Sequence, residues 1–297
     1  MKASCYLAPG ALSLSLLLSG CSLLPTTRRL PIPKGPMVTQ TVAPDELVQR
    51  LNERWGALES VTATVEMQAS HIEKKEGIAK GSPTIRGHIL MRKPEMLRVV
   101  GSYFGIRALD LSGDGNQFMM FYHLPSGSQV VKGPYAVMKK SDKPFENLRP
   151  GFFFDALIVR GLAPDDLYAV TADTITVEDT TRKHFYLVPE YVLSISRRKP
   201  GSQQLTPVRV VTFHRDDLLP YQQDLYDSEG NLETEVFYSD YQDFSGNKYP
   251  SKVTIKRPLE ELEIVLSVED VKQNVPLTDD QFIIHNIPEG TPTKNLN

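Results

Sequence analysis

Thiols are almost missing from this chain: only Cys5 and Cys21 among 297 residues are cysteine, so everything beyond position 21 lacks one. A disulfide framework, a thiol nucleophile and a cysteine-ligated zinc are therefore excluded from the body of the protein. A chain this long builds a sufficient core without cross-links. An excess of either charge is missing too: 33 basic and 36 acidic residues leave a formal net charge of −3, which speaks against a nucleic-acid partner. Catalytic signatures are wanting as well. There is no Gly-x-Ser-x-Gly elbow, no His-Glu-x-x-His, no Gly-rich phosphate loop ending in Lys-Ser/Thr and no Cys-x-x-Cys. The six histidines, at positions 71, 88, 123, 184, 214 and 285, never fall at a short ligand spacing, so neither a metal nor another cofactor is expected. Asp165-Asp166 and Asp279-Asp280 sit beside prolines or turns and suit capping, and His214-Arg215-Asp216-Asp217 reads as a solvated turn. The expectation is a protein that is not an enzyme; a hydrolase would need dispersed residues to converge in a cleft.

What is present begins at the N-terminus. Lys2, the apolar stretch Leu7 to Leu18 and the sequence Leu18-Ser19-Gly20-Cys21 resemble a bacterial lipoprotein signal. The stretch is too short to span a bilayer, and no second run of spanning length follows. The resemblance implies cleavage before Cys21, a diacylglycerol thioether on its sulfur and acylation of its new amine; the other reading is an apolar terminus with a chance cysteine. Each buried methylene contributes about 0.8 kcal/mol, so two or three chains anchor durably. Ser22, not Asp, follows the cysteine, and the sorting logic of such lipoproteins then favours the outer membrane. The expected division is a signal peptide over 1–20, a lipidated tether over 21–44 and one domain over 45–297. Pro25, Pro31, Pro33, Pro36 and Pro44 make that tether extended.

From Pro44 the spacing of Leu47, Leu51, Trp55 and Leu58 predicts a one-faced helix ending near Leu58, with Asp45 and Glu46 in its first turn. After Ser60 the text turns to short strands punctuated by Ser112-Gly113-Asp114-Gly115-Asn116, Asp227-Ser228-Glu229-Gly230-Asn231 and Phe244-Ser245-Gly246-Asn247. Ile85 to Arg92, Met96 to Val100, Arg107 to Leu111, Gln117 to Tyr122 and Ser128 to Lys132 form one run of expected strands. Thr174 to Val177, His184 to Val188, Leu193 to Arg197 and Pro207 to His214 open a second, which continues through Glu260 to Gln273. Strand, turn, strand without intervening helices predicts an antiparallel meander. One segment interrupts it: Pro150 to Leu162, apolar nearly all round, predicts a short buried helix.

Strand faces differ. Leu262, Ile264, Leu266 and Val268 alternate with polar neighbours, giving one wet and one dry face. Arg107 to Leu111, with Leu109 and Leu111, and Phe118 to Tyr122 leave bulk on both faces or crowd it onto one, over-supplying an inner face. Such a face lines a cavity, to which Met119, Met120 and Met138 would adapt, or it simply fills a core. Trp55 has the same two readings.

The lipoprotein signal, the helix with Trp55, the turn Arg92-Lys93-Pro94-Glu95 and the sequel Gly101 to Leu111 together resemble the LolA/LolB lipoprotein-carrier superfamily, with LolB-like members the nearer match. That resemblance implies an incomplete antiparallel β-barrel, mainly β, with short helices covering its concave face and acyl chains held in an apolar cavity. It implies Trp55, Leu109, Leu111, Phe118, Met120, Phe153, Leu157, Ile158 and Leu162 as cavity lining or lid. Tyr103, Phe104 and Gly105 would form the loop that enters lipid, unless Phe104 folds back into the core. Implied partners are acyl chains of lipoproteins or lipids, the inner leaflet of the outer membrane and a soluble periplasmic carrier, with the protein a monomer facing the periplasm. The other reading is a structural outer-membrane lipoprotein with a filled core.

Overall fold

A strand with one dry face needs neighbours along its edges and a cover over that face, and this chain supplies both by folding back on itself. The computed structural model describes residues 39–73, 78–124, 127–135, 147–179 and 184–296. The signal segment, Cys21, the tether as far as Val38 and Met138 lie outside them. Two compact units divide the chain. Of the smaller, the described part lies within Thr176–Leu187 and is strand; the larger comprises Met37–Ile175 and Val188–Asn297 and holds both helices.

Helix α1 spans Pro44–Ala57 and leads into β1 (Ser60–Glu73), β2 (Ile78–Gly81), β3 (Ile85–Arg92) and β4 (Met96–Tyr103). Strands β5 (Ile106–Gly113), β6 (Gln117–Leu124) and β7 (Gly127–Pro134) complete the first meander before helix α2 (Pro150–Leu157). Strands β8 (Asp166–Asp179), β9 (His184–Arg198), β10 (Leu205–His214) and β11 (Pro220–Tyr226) begin the second. It ends with β12 (Leu232–Phe244), β13 (Asn247–Arg257) and β14 (Leu262–Gln273), followed by a short parallel strand β15 (Thr293–Asn295). All join one unclosed sheet of order β15-β7-β6-β5-β4-β3-β1-β14-β13-β12-β11-β10-β9-β8, with β2 paired to β1 off that path. The seam between the meanders is the antiparallel pairing of β1 with β14, from Val61 opposite Gln273 to His71 opposite Leu262.

Differences from the sequence-based expectation have local causes. β2 is four residues long, too short to display a period. The two strands expected on either side of Pro189 are one, β9: proline's fixed φ suits extended chain, and its carbonyl accepts from the Arg215 N–H at 3.2 Å. β8 is far longer than Thr174 to Val177 because its described side chains are mostly exposed whichever face they take, so no alternation marks it. Helix α2 stops at Leu157, five residues before the expected Leu162, because side chains from the sheet take its last carbonyls.

The inner face of the sheet carries both helices. Phe152, Phe153, Phe154, Ala156 and Leu157 of α2 are buried in one cluster with Val61, Ile89, Leu97, Leu111, Met120, Val253 and Leu266. α1 offers only Leu47, Val48 and Leu51 to a second cluster, against Tyr191, Leu193 and Phe213. α2 begins where Gly113 and Gly151 admit it: a Cβ on Gly113 would stand 2.6 Å from the Pro150 Cγ.

The outer face of the first meander is covered by the C-terminal segment. After β14 the chain makes a 3-10 turn at Asp279–Phe282, then lays Phe282 and Ile284 down in buried positions. Arginines fasten it from below: Arg92 donates to the Leu277 carbonyl at 2.6 Å, Arg98 to Gln281 at 3.0 Å, and Arg107 to His285 and Asn286 at 2.8 and 2.6 Å. Beneath, Asp110 is fully buried and accepts from both Arg98 and Arg107. Phe121 lies under the Arg107 guanidinium, 4.6 Å from its ring centre. This cover explains why β5 and β6 carry bulk on both faces.

Candidate functional site

Between the end of α1, the end of α2 and strands β11–β14 the inner face opens into a cleft enclosing about 90 Å³. Since a single water needs about 10–15 Å³ on that measure, the cleft accepts a stretch of aliphatic chain but not a whole long acyl group. Its walls are Trp55 and Leu58 from α1, Leu157, Ile158 and Val159 from α2 and its exit, and Tyr238, Tyr241 and Tyr249 from the sheet; Arg54 and Lys248 also border it. No Asp, Glu or His is among its described lining residues.

The tyrosines serve the helix. Four carbonyls at a helix C-terminus lack partners within the helix; here the Asp155 carbonyl accepts from Gln223 Nε2 at 2.7 Å, Ala156 from the Tyr238 hydroxyl at 2.9 Å and Leu157 from the Tyr249 hydroxyl at 2.8 Å. Three successive strands thus cap α2, one carbonyl each. Burial pushes the Tyr238 and Tyr249 hydroxyls well above the ordinary phenol range, so they remain donors. Tyr249→Phe leaves the Leu157 carbonyl buried without its donor; a loss of about 1–3 kcal/mol is expected by urea denaturation.

One turn fastens both helices. In Arg92-Lys93-Pro94-Glu95, between β3 and β4, the Lys93 ammonium donates to the Trp55 carbonyl at 2.7 Å and lies 4.4 Å from the Trp55 ring centre. It thereby caps α1. Glu95 accepts from Arg160 at 3.1 Å, and Arg160 is also paired with Asp155 on α2.

The second feature is the β4–β5 hairpin tip. Tyr103 pairs with Ile106 across a two-residue turn in which both Phe104 (φ 47°) and Gly105 (φ 80°) are left-handed. Such turns favour Asn-Gly; a bulky aromatic at the first position is strained. Phe104 is 88% exposed, Ile106 61% and Tyr103 42%, and the Tyr103 and Phe104 rings meet edge-on at 4.5 Å.

The residues expected as site members therefore part company. Trp55, Leu157 and Ile158 meet in the cleft. Leu111, Phe118, Met120 and Phe153 are buried in the core cluster, Leu109 packs against it, and Leu162 packs against the cluster beneath α1; none of these borders the cleft. Phe104 points to water and not into the core. Sequence reasoning missed Arg54, Lys248, Tyr249 and Ile106. The turn Phe244-Ser245-Gly246-Asn247 held a signal, since it places Tyr249 opposite Gln242 and Pro250 opposite Tyr241.

No protein-family model matches the chain, and no curated protein does. The fold is mainly β, an open, unclosed sheet with two short helices, consistent with a LolA-like incomplete barrel. A LolA superfamily protein from Nitrosomonas europaea is similar at TM-score 0.50 and 15% identity, over 82% of this chain and 99% of that one. A DUF1329 family protein from Desulfovibrio piger is similar at TM-score 0.52 and 16% identity, over 80% of this chain and 95% of that one.

Proposed function

We propose that this is a lipid-anchored envelope protein that takes acyl chains of lipoproteins or lipids into its cleft and hands them to a membrane, with no covalent chemistry. The observation that carries this reading is the hairpin tip, where three large apolar side chains stand in water on a strained turn. The strain at Phe104 is offset by little beyond the edge contact with Tyr103, and strained positions of this kind cluster at functional sites. Aromatic rings of this kind gain free energy at a lipid interface.

Admission of a chain falls to α1. It is buried through three residues only, whereas α2 is capped by three strands and packed by its phenylalanines. Swinging α1 away from Leu157 and Ile158 lengthens the cleft. On this reading Cys21 holds the protein at the inner leaflet of the outer membrane, facing the periplasm as a monomer, and a soluble carrier brings the cargo. Nucleic acid has no part in it.

A second reading is favoured by the full burial of Leu111, Met120, Phe153 and Phe154: a structural lipoprotein whose core is filled. Full-length protein carrying Cys21→Ala separates the two. Mass spectrometry is expected to find co-purified acyl species, and a fluorescent fatty acid is expected to be taken up saturably. Absence of both sinks the carrier reading and leaves the structural one.

A further inference from the structure

The cleft is apolar save for a few polar side chains, and the three tyrosines among them are already committed. Of the three tyrosine hydroxyls, Tyr238 and Tyr249 donate to α2, and Tyr241 donates to the Pro220 carbonyl at 2.6 Å. What is left for a ligand is Gln273 and two cations, Arg54 and Lys248. Among the described residues neither cation has an ion pair or a hydrogen bond. Each stands near a natural partner without being paired to it. Arg54 lies in the last turn of α1, where a cation complements the helix dipole, yet the Lys93 ammonium already sits on the Trp55 and Gly56 carbonyls. Lys248 stands across the β12–β13 ladder from Asp243 but forms no ion pair with it; that carboxylate accepts from the Gly246 N–H at 2.6 Å.

We infer that Arg54 and Lys248 form a head-group site at the mouth of the cleft, selecting an acyl chain that ends in an anionic oxyanion, a carboxylate or a phosphate. This site rests on the acyl-binding reading above and adds the class of head group to it, favouring lipids with an anionic head over lipoproteins, whose chains hang on neutral ester and amide links. Charge complementarity chooses the occupant. Two unpaired cations beside an apolar slot with no acid in its walls match an amphiphile with one negative end. A guanidinium and an ammonium divide the work: the first can grip two oxygens at once, the second supplies a point charge. A neutral ester or alcohol would leave both cations facing solvent and gain only the apolar contact.

The test uses full-length protein carrying Cys21→Ala with cis-parinaric acid, its methyl ester and inorganic phosphate as probes. The acid is expected to bind about tenfold more tightly than the ester, the ~1.4 kcal/mol a modest charge-assisted contact supplies. Arg54→Gln with Lys248→Gln is expected to erase that preference, affinity for the acid falling to that for the ester, with the thermal midpoint unchanged. Millimolar phosphate is expected not to displace the acid. Equal binding of acid and ester by the parent protein overturns the head-group site while leaving acyl binding intact. Displacement by phosphate alone overturns it in favour of a free-anion site. Failure of both acid and ester to bind overturns the acyl-binding reading and this inference with it.

Discussion

Phe104→Glu is expected to abolish delivery of bound acyl chains to liposomes while leaving folding and fatty-acid uptake intact. The side chain touches little of the fold, being 88% exposed at the tip between β4 and β5. Moving a phenylalanine side chain from water into lipid is worth roughly 1.5–3 kcal/mol, so its loss alone lowers membrane association about 10- to 100-fold. A carboxylate at that point adds a desolvation cost. Phe104→Asn supplies the control, because asparagine tolerates left-handed φ. That variant is expected to gain up to about 1 kcal/mol in stability and still to deliver poorly. A phenylalanine kept for structural reasons would give the opposite result, a loss of stability with delivery unchanged, and liposome flotation beside a denaturation curve distinguishes the two.

Asp110→Ala is expected to lower stability by about 3 kcal/mol, the lower end of what removal of one partner from a buried ion pair costs. Its carboxylate is fully buried and receives two hydrogen bonds from Arg98, each of 3.0 Å, and one from Arg107 at 3.2 Å. Both arginines also hold carbonyls of the C-terminal segment. Without Asp110 those cations are left partly covered and unpaired, so the segment should loosen along with the sheet beneath it. Amide exchange checks the mechanism: protection should fall at Phe282 and Ile284 and persist on β12–β14. Uniform loss across both regions, or no change in stability, contradicts this account.

The sequence made the sheet legible where one face is dry. β3 runs over the eight residues expected of it, Ile85–Arg92, because Gly87, Ile89 and Met91 face a core while their neighbours do not. The same logic hid β8, whose described side chains are mostly exposed. It placed β5 and β6 but left their second face unexplained, since the bulk there answers to a segment more than a hundred and fifty residues away, as the pairing of Ser112 with the Phe282 carbonyl shows. The cleft was legible only from its helices. Trp55, Leu157 and Ile158 advertise themselves as apolar stripes, whereas Lys248 and Tyr249 acquire meaning only when the β12–β13 hairpin sets them beside α1. The tip at Phe104 was visible as an aromatic beside a glycine; its left-handed backbone was not.

The seam of the sheet sets the order in which the protein can assemble. Neighbouring strands within each meander meet through short turns, but β1 must find β14, bringing Val61 to Gln273 across most of the chain. Pairings of such long range are formed late and slowly. Until then β1 and β14 are each a bare strand edge, the kind of surface on which chains join one another. Refolding yield should therefore fall as protein concentration rises even where the finished fold is stable, and the risk ends at the moment the two meanders close on each other.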